Sequence, residues 1–394
     1  MSKIEDLIRQ FCPDGVEWRT IESLTKSICS GLNPRRNFSL NVKGADCNYL
    51  TVKEMTSGKI VFSDKTDKIT KEAVGIIQNR SRLEFGDILL SGIGTIGRVA
   101  IVDIPVGDWN CSESVLLLKA DQTLILPKYL KYILEGNEVQ VYFNNHATGS
   151  TLKGIRQKDL RSLEIPLPPL PVQEAIVNIL DRFTVYAAEL QAELQARQQQ
   201  YNYYRDTLLS FEGREDVDYL AIPMFVELKA GKAIKAEELK EQTDEKHKYP
   251  CYGGNGVRGY IGKQSHNGDY PIIGRQGALC GCVNWASGEF YATEHAVVCK
   301  PLKNANSKFI YYLFQTANLN QYKSQGAQPG LSVQRLNELV FPVPSLSEQQ
   351  RIVDILDRFD TLVNDLSQGL PAEIEARQQQ YEYYRDRLLT FNRK

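Results

Sequence analysis

ARQQQYNYYRDTLLSF, residues 196–211, returns at 376–391 as ARQQQYEYYRDRLLTF, identical at 13 of 16 positions. Upstream of each copy a second segment repeats. VQEAIVNILDRF (172–183) matches EQQRIVDILDRF (348–359) at 8 of 12 positions. The edges before them match as well, Leu163-Glu-Ile-Pro-Leu-Pro-Pro169 against Leu339-Val-Phe-Pro-Val-Pro-Ser345. Self-similarity of this strength decides the architecture before any other signal. The chain is organised as a first domain (1–165), a helical spacer (166–213), a second domain (214–341) and a second helical spacer (342–394).

Each spacer reads as a long helix. Ile176, Leu180, Phe183, Ala187, Leu190, Leu194, Arg197, Tyr201, Tyr204 and Leu208 alternate steps of four and three, the period of a coiled-coil seam. Pro168, Pro169 and Pro171 stand where a helix can begin but not extend backwards. About 40 residues at roughly 1.5 Å each make a rod of roughly 60 Å. One apolar stripe needs a partner, and the other copy supplies it. That second copy opens with Ile352, Leu356, Phe359, Val363 and Leu366 and rejoins the pattern at Tyr381 and Leu388. It carries four extra residues around Gly369 and Pro371, which predicts a kink or a short break.

The two domains read as mixed α/β (α+β), related with their helices by a pseudo-two-fold repeat. Residues 86–103 (GDILLSGIGTIGRVAIVD) and 268–283 (GDYPIIGRQGALCGCV) each read as strand, glycine-rich turn, strand. A helix-like stretch comes next in each (127–143 and 307–322), then a glycine-rich turn and a short element (154–165 and 330–341). A common frame with different loops suggests two readers of two targets.

Net charge is −1, and blocks of +2 (1–165), −3 (166–213), +2 (214–341) and −2 (342–394) alternate along the chain. The bias alone does not establish nucleic-acid binding. No run of about 18 apolar residues marks a membrane helix. The N-terminus lacks a signal-peptide core, so a cytoplasmic location is expected. The 8 cysteines are then free thiols. Cys251, His266, Cys280, Cys282, His295 and Cys299 share the second half, but Cys280-Gly-Cys282 is too tight for a structural zinc pair, and buried small side chains are the plainer reading. No metal is expected.

Gly92-Ile-Gly94-Thr-Ile-Gly97 matches a dinucleotide fingerprint in spelling only, because a strand (Arg98–Val102) and not a helix comes after it. A tight β-turn explains it. No phosphate loop, methyltransferase Pro-Pro-aromatic motif, zinc-protease spacing or nucleophile elbow occurs, so no catalytic or cofactor-binding residues are assigned. Polar loops remain. In the second domain they present Tyr252, Asn255, Arg258 and Tyr260, then Arg275 and Gln276. In the first they present Arg35, Arg36, Thr95, Arg98, Lys153 and Arg156. Arginine suits guanine, and Asn or Gln suits adenine. For any one of them an ordinary surface turn is an equally good account.

The paired ILDRF…ARQQQYxYYRDxLL(S/T)F segments, with their PLPPLPVQE and PVPSLSEQQ edges, resemble the repeated regions of type I restriction–modification specificity subunits. The run YPCYGGNGVRGY…GRQGALCG…YATEHAVV resembles one of that family's target-recognition domains. The resemblance implies that each domain reads half of a split site in double-stranded DNA. It implies that the helices pack antiparallel, set the gap and dock two methylation subunits, and that two restriction subunits can join them. It places S-adenosylmethionine, ATP and magnesium on those partners, leaving this chain non-catalytic. The alternative is a coiled-coil scaffold with two ligand- or protein-binding end domains, which would not be retained on duplex DNA with a steep salt dependence.

The spacer carries a tandem tetrad, Ala188-Glu-Leu-Gln191 and Ala192-Glu-Leu-Gln195. Deleting one unit rotates the downstream part of the helix by about 40° and shortens it by roughly 6 Å. The apolar seam survives because Leu190 and Leu194 are equivalent. Methylation mapping in cells carrying the deletion is expected to return the same half-sites with a gap shorter by about one or two base pairs. An active variant with an unchanged gap would show that the helix is no ruler.

Overall fold

The computed structural model describes residues 2–35, 37–149, 152–277, 279–324, 329–365 and 368–394. The chain forms two compact units, residues 1–189 with 374–394 and residues 190–373.

In the first unit a four-stranded antiparallel sheet has the order Thr25–Ser30, Val115–Ala120, Ile88–Ser91, Val99–Ile101. Its strands are apolar on both faces, with Ile88, Leu89, Leu90, Leu117 and Leu118 fully buried. The even-numbered side chains Ile88, Leu90 and Leu118 pack with the helices Pro127–Glu135 and Asn137–His146. Leu89 and Leu117 pack on the other side with Trp109 and Met55. A three-stranded sheet (Lys68–Ile69, Cys47–Leu50, Trp109–Cys111) extends that side. Glu17–Thr20 pairs antiparallel with Glu164–Leu167, in register Trp18↔Pro166.

The second unit repeats this plan. Its sheet runs Val226–Ala230, Ala296–Pro301, Tyr270–Gly274, Val283–Ala286, covered by the helix Ser307–Thr316. A second sheet of four strands (Gly256–Ile261, Tyr249–Gly253, Glu289–Ala292, His266–Asn267) stands where the first unit has three. Asp218–Ala221 pairs with Val340–Val343, in register Tyr219↔Pro342.

The central helix runs unbroken from Leu170 to Leu208 and contributes to both units. The second spacer is two helices, Leu346–Asn364 and Leu370–Leu389. The break falls at the expected insertion, and Leu366 lies outside the described residues. Gly369 N donates to Asp365 O at 3.0 Å. A Cβ on Gly369 would sit 2.4 Å from Thr361 O, so only glycine allows the chain to turn this tightly against the preceding helix.

Within the first unit the start of the central helix packs antiparallel on the last helix. Phe183 stacks on Tyr384 (centroids 5.7 Å apart), and Arg377 lies over Tyr186. Ile176, Leu180 and Leu388 are buried there, with Tyr381 against them. Within the second unit the end of the central helix packs on Leu346–Asn364. Tyr204 stacks on Phe359 (5.3 Å). Tyr201, Ile352 and Leu356 are buried, with Leu194 and Leu208 partly covered. Leu190 is also buried.

The repeated residues make repeated bonds. Tyr132 donates to Asp181 at 2.6 Å and Tyr312 to Asp357 at 2.5 Å. Burial, and then the adjacent carboxylate, push both phenols well above their ordinary range. Gln173, fully buried, accepts from Leu126 N and donates to Leu124 O and Pro168 O. Gln349, equally buried, accepts from Asn306 N and donates to Asn304 O and Pro344 O. Each glutamine pins the entry of its helix to its own unit. The substitution Gln349→Leu strands those backbone groups, at about 1–3 kcal/mol for each buried group left unpaired. We expect a loss of about 3 kcal/mol or more in chemical unfolding, and a comparable loss for Gln173→Leu. The exposed Gln378→Leu is expected to change little.

Candidate nucleic-acid interface

In both units three loops meet at the end of the four-stranded sheet, tied by equivalent backbone bonds. In the first unit Gly92 N donates to Ser114 O (2.8 Å), Gly94 N to Lys153 O (2.8 Å), and Ile155 N to Gly92 O (2.9 Å). In the second, Arg275 N donates to His295 O (2.9 Å), Gly277 N to Pro329 O (3.1 Å), and Leu331 N to Arg275 O (2.8 Å). The isolated bridges Ile93↔Gly154 and Gln276↔Gly330 repeat the match. Gly92 and Arg275 therefore hold the same place, as do Ser114 and His295. A further loop enters through Gly31, whose N donates to Val115 O, and through Gly231, whose N donates to Ala296 O.

Close backbone approach explains the glycines. A Cβ on Gly31 would lie 1.9 Å from Cys111 O, on Gly231 2.0 Å from Ala292 O, and on Gly274 1.8 Å from Gly254 O. Gly94 and Gly277 instead have φ of +83° and +87° with open space around them. The GxGxxG spelling is thus a turn between Ile88–Ser91 and Val99–Ile101.

The loop side chains fall into three groups. Thr95, Lys153 and Gln276 are exposed on these loops. Asn255 is exposed in the turn between Tyr249–Gly253 and Gly256–Ile261, and Arg258 is exposed on the second of those strands rather than on a loop. Arg275 is half-buried among them. Arg35, also exposed, sits at φ +24°, and Arg36 lies outside the described residues. Other candidates are committed elsewhere. Arg156 makes a bidentate pair with Asp159 (2.7 and 3.1 Å), which holds that carboxyl below its usual range. Arg98 Nη1 donates to Val52 O at 3.1 Å. Tyr252 is in the core, its hydroxyl donating to Trp285 O (3.3 Å) and its ring edge-on to Phe290. Burial raises its phenol pKa. Tyr260 is bound through its backbone to Lys240. The seam residues stand apart from this site, in the helix packing described above.

Beside Arg275 the fold also brings Asn284, Glu294 and His295, none of which the sequence places among the polar loop contacts. Buried side-chain atoms without a hydrogen-bond partner, among the described residues, include Arg275 Nε, Asn284 Nδ2, Glu294 Oε2 and His295 Nδ1. All four surround the same loops. Arg275 is bonded to residue 295, and Asn284 faces Gly256 at 3.2 Å from where its Cβ would be. Equivalent to Glu294 is Glu113, which accepts from Asn33 Nδ2 at 2.6 Å. Matching Ser112-Glu113-Ser114 against Thr293-Glu294-His295 in sequence would have found the pair. Cys251, Cys280 and Cys299 are buried, and no cluster of three potential metal ligands occurs among the described residues. Burial raises the Cys251 thiol to about 11. No helix among the described residues is long and apolar enough to cross a membrane.

A family model described as the type I restriction modification DNA specificity domain matches residues 13–197 and again 215–376. The chain is 34% identical over 365 residues to the type I restriction enzyme EcoprrI specificity subunit of Escherichia coli, covering 90% of both chains. It is 31% identical over 316 residues to the EcoR124I/EcoR124II specificity subunit of E. coli, covering 71% of this chain and 74% of the relative. The fold is similar to the crystal structure of a type I restriction-modification system S subunit from M. genitalium, with a TM-score of 0.59 at 19% identity over 96% of this chain and 97% of that one.

The loop geometry separates two kinds of glycine. Gly277→Ala meets only the left-handed backbone, at about 1 kcal/mol. Gly274→Ala must push the Gly254 carbonyl away. We expect Gly274→Ala to lower the unfolding midpoint of the chain several-fold more than Gly277→Ala, as measured by thermal unfolding.

Proposed function

The chain belongs to the type I restriction–modification DNA specificity family, and from that membership we propose that it is the DNA-reading subunit of such an enzyme, each unit recognising one half of a bipartite duplex site. The observation that supports this best is the duplicated frame: equivalent backbone bonds present different side chains at equivalent places, Gly92 against Arg275 and Ser114 against His295. A pseudo-two-fold repeat suits half-sites read in opposite directions. In this reading Arg275, Gln276, Asn255, Arg258, Thr95, Lys153 and Arg35 are the contacts. Lys153 contributes charge toward phosphate. Arg156 and Arg98 shape their loops through the bonds described, and Tyr252 supports its loop from beneath.

The chain itself is non-catalytic in this proposal. Two methylation subunits dock on the helical spacers and carry S-adenosylmethionine, and two restriction subunits add ATP- and magnesium-dependent steps. The assembly works in the cytoplasm. Residues with a duplicated identity on the helices, such as the exposed Tyr203 and Tyr383, suit two copies of one partner.

Three measurements test it. Purified chain alone is expected to transfer no methyl groups. Replacing 214–341 by the equivalent domain of another family member is expected to change one half of the methylated site in cells and leave the other half intact. A change in both halves overturns the modular reading. Lys153→Ala is expected to weaken duplex binding evenly across sequences and to lower the salt slope by about 1.

A further inference from the structure

The two loop frames share one charged residue that a DNA-facing surface ordinarily disfavours. Glu113 and Glu294 occupy equivalent places, each one residue before the carbonyl that receives the glycine-loop N–H. A carboxylate beside phosphates is repelled. In the major groove, however, it finds donors: the exocyclic amino group of cytosine is the usual partner of Glu.

Glu294 is half-buried beside the loop frame. Its side chain is 41% exposed, Oε1 lies 3.1 Å from His295 Nε2, and Oε2 has no hydrogen-bond partner. Arg275 stands on the adjoining backbone, its N bonded to His295 O, and its Nε also lacks a partner. A buried polar atom without a partner is costly, and a water or a ligand group relieves that cost. An arginine donor and a glutamate acceptor on neighbouring strands of backbone are the complement of guanine O6/N7 and cytosine N4.

We propose that Glu294 and Arg275 together read a G·C base pair in the half-site of the second unit, and that Glu113, oriented by Asn33, is the equivalent amino-group acceptor of the first. Gly92 stands where Arg275 does, so the first unit has no guanidinium at that place. The inference rests on the chain being a DNA reader.

The test is selection from a randomised duplex pool by the full chain assembled with its modification subunits. The wild-type complex is expected to recover a second half-site containing a G·C pair. Glu294→Gln keeps the shape and is expected to relax the cytosine of that pair by about tenfold or more, while Arg275→Ala relaxes the guanine. Glu113→Gln is expected to alter the first half-site alone. A recovered site that Glu294→Gln leaves unchanged overturns this inference and spares the DNA-reading function. So does a uniform change in affinity across all sequences, which would mark relief of phosphate repulsion. Recovery of no motif by the wild-type complex overturns both.

Discussion

Two stacked aromatic pairs, Phe183 on Tyr384 and Phe359 on Tyr204, carry the arrangement. Each joins the start of one repeat to the end of the other. Neither repeat therefore closes the unit that precedes it without the other. The first unit is completed by residues 374–394, and the second takes the end of the central helix. Such pairs contribute about 0.5–1.5 kcal/mol beyond the area they bury. The larger gain is the apolar burial of Ile176, Leu180 and Leu388 in one unit and of Tyr201, Ile352 and Leu356 in the other. The chain's C-terminal end is tied in the same way, Lys394 N donating to Val16 O at 3.0 Å.

This exchange explains why the helices repeat almost residue for residue while the loops do not. A seam residue answers to a partner in the other repeat, so a change in one copy must suit a helix from the other. The loop frames are held by backbone donors and acceptors, which are indifferent to the side chain they carry. Gly92 and Arg275 make equivalent main-chain bonds with entirely different surfaces. The frame fixes where a side chain stands and leaves its chemistry open.

The repeat, the seam and the break near Gly369 were legible in the sequence because each comes from local spacing or from a residue with one permitted role. The strand–turn–strand pairs were legible for the same reason. Side-chain direction was not. Arg156 reads as a free cation until the short helix after it brings Asp159 within 2.7 Å. Tyr252 reads as a loop aromatic until pairing of Tyr249–Gly253 with its neighbours turns it toward Phe290. Glu294 carries no such signal in the sequence, and His295 reads there only as one of six scattered metal-ligand types. Their place in the frame comes from the backbone contact of His295 with Arg275, distant in sequence and adjacent only in the sheet.

On the proposed reading, a chain of net charge −1 gains little grip on a DNA duplex from overall charge. For a reader this is useful, because a basic surface grips every sequence, and that grip dilutes discrimination among competing sites. On the proposed reading, an acidic side chain in the centre of each frame sharpens the point. With no amino group opposite, the carboxylate leaves its hydration shell for nothing and faces the phosphates; with one opposite, it regains a hydrogen bond. The wrong sequence is thereby penalised more than the right one is rewarded. Specificity then comes from the cost of a mismatch.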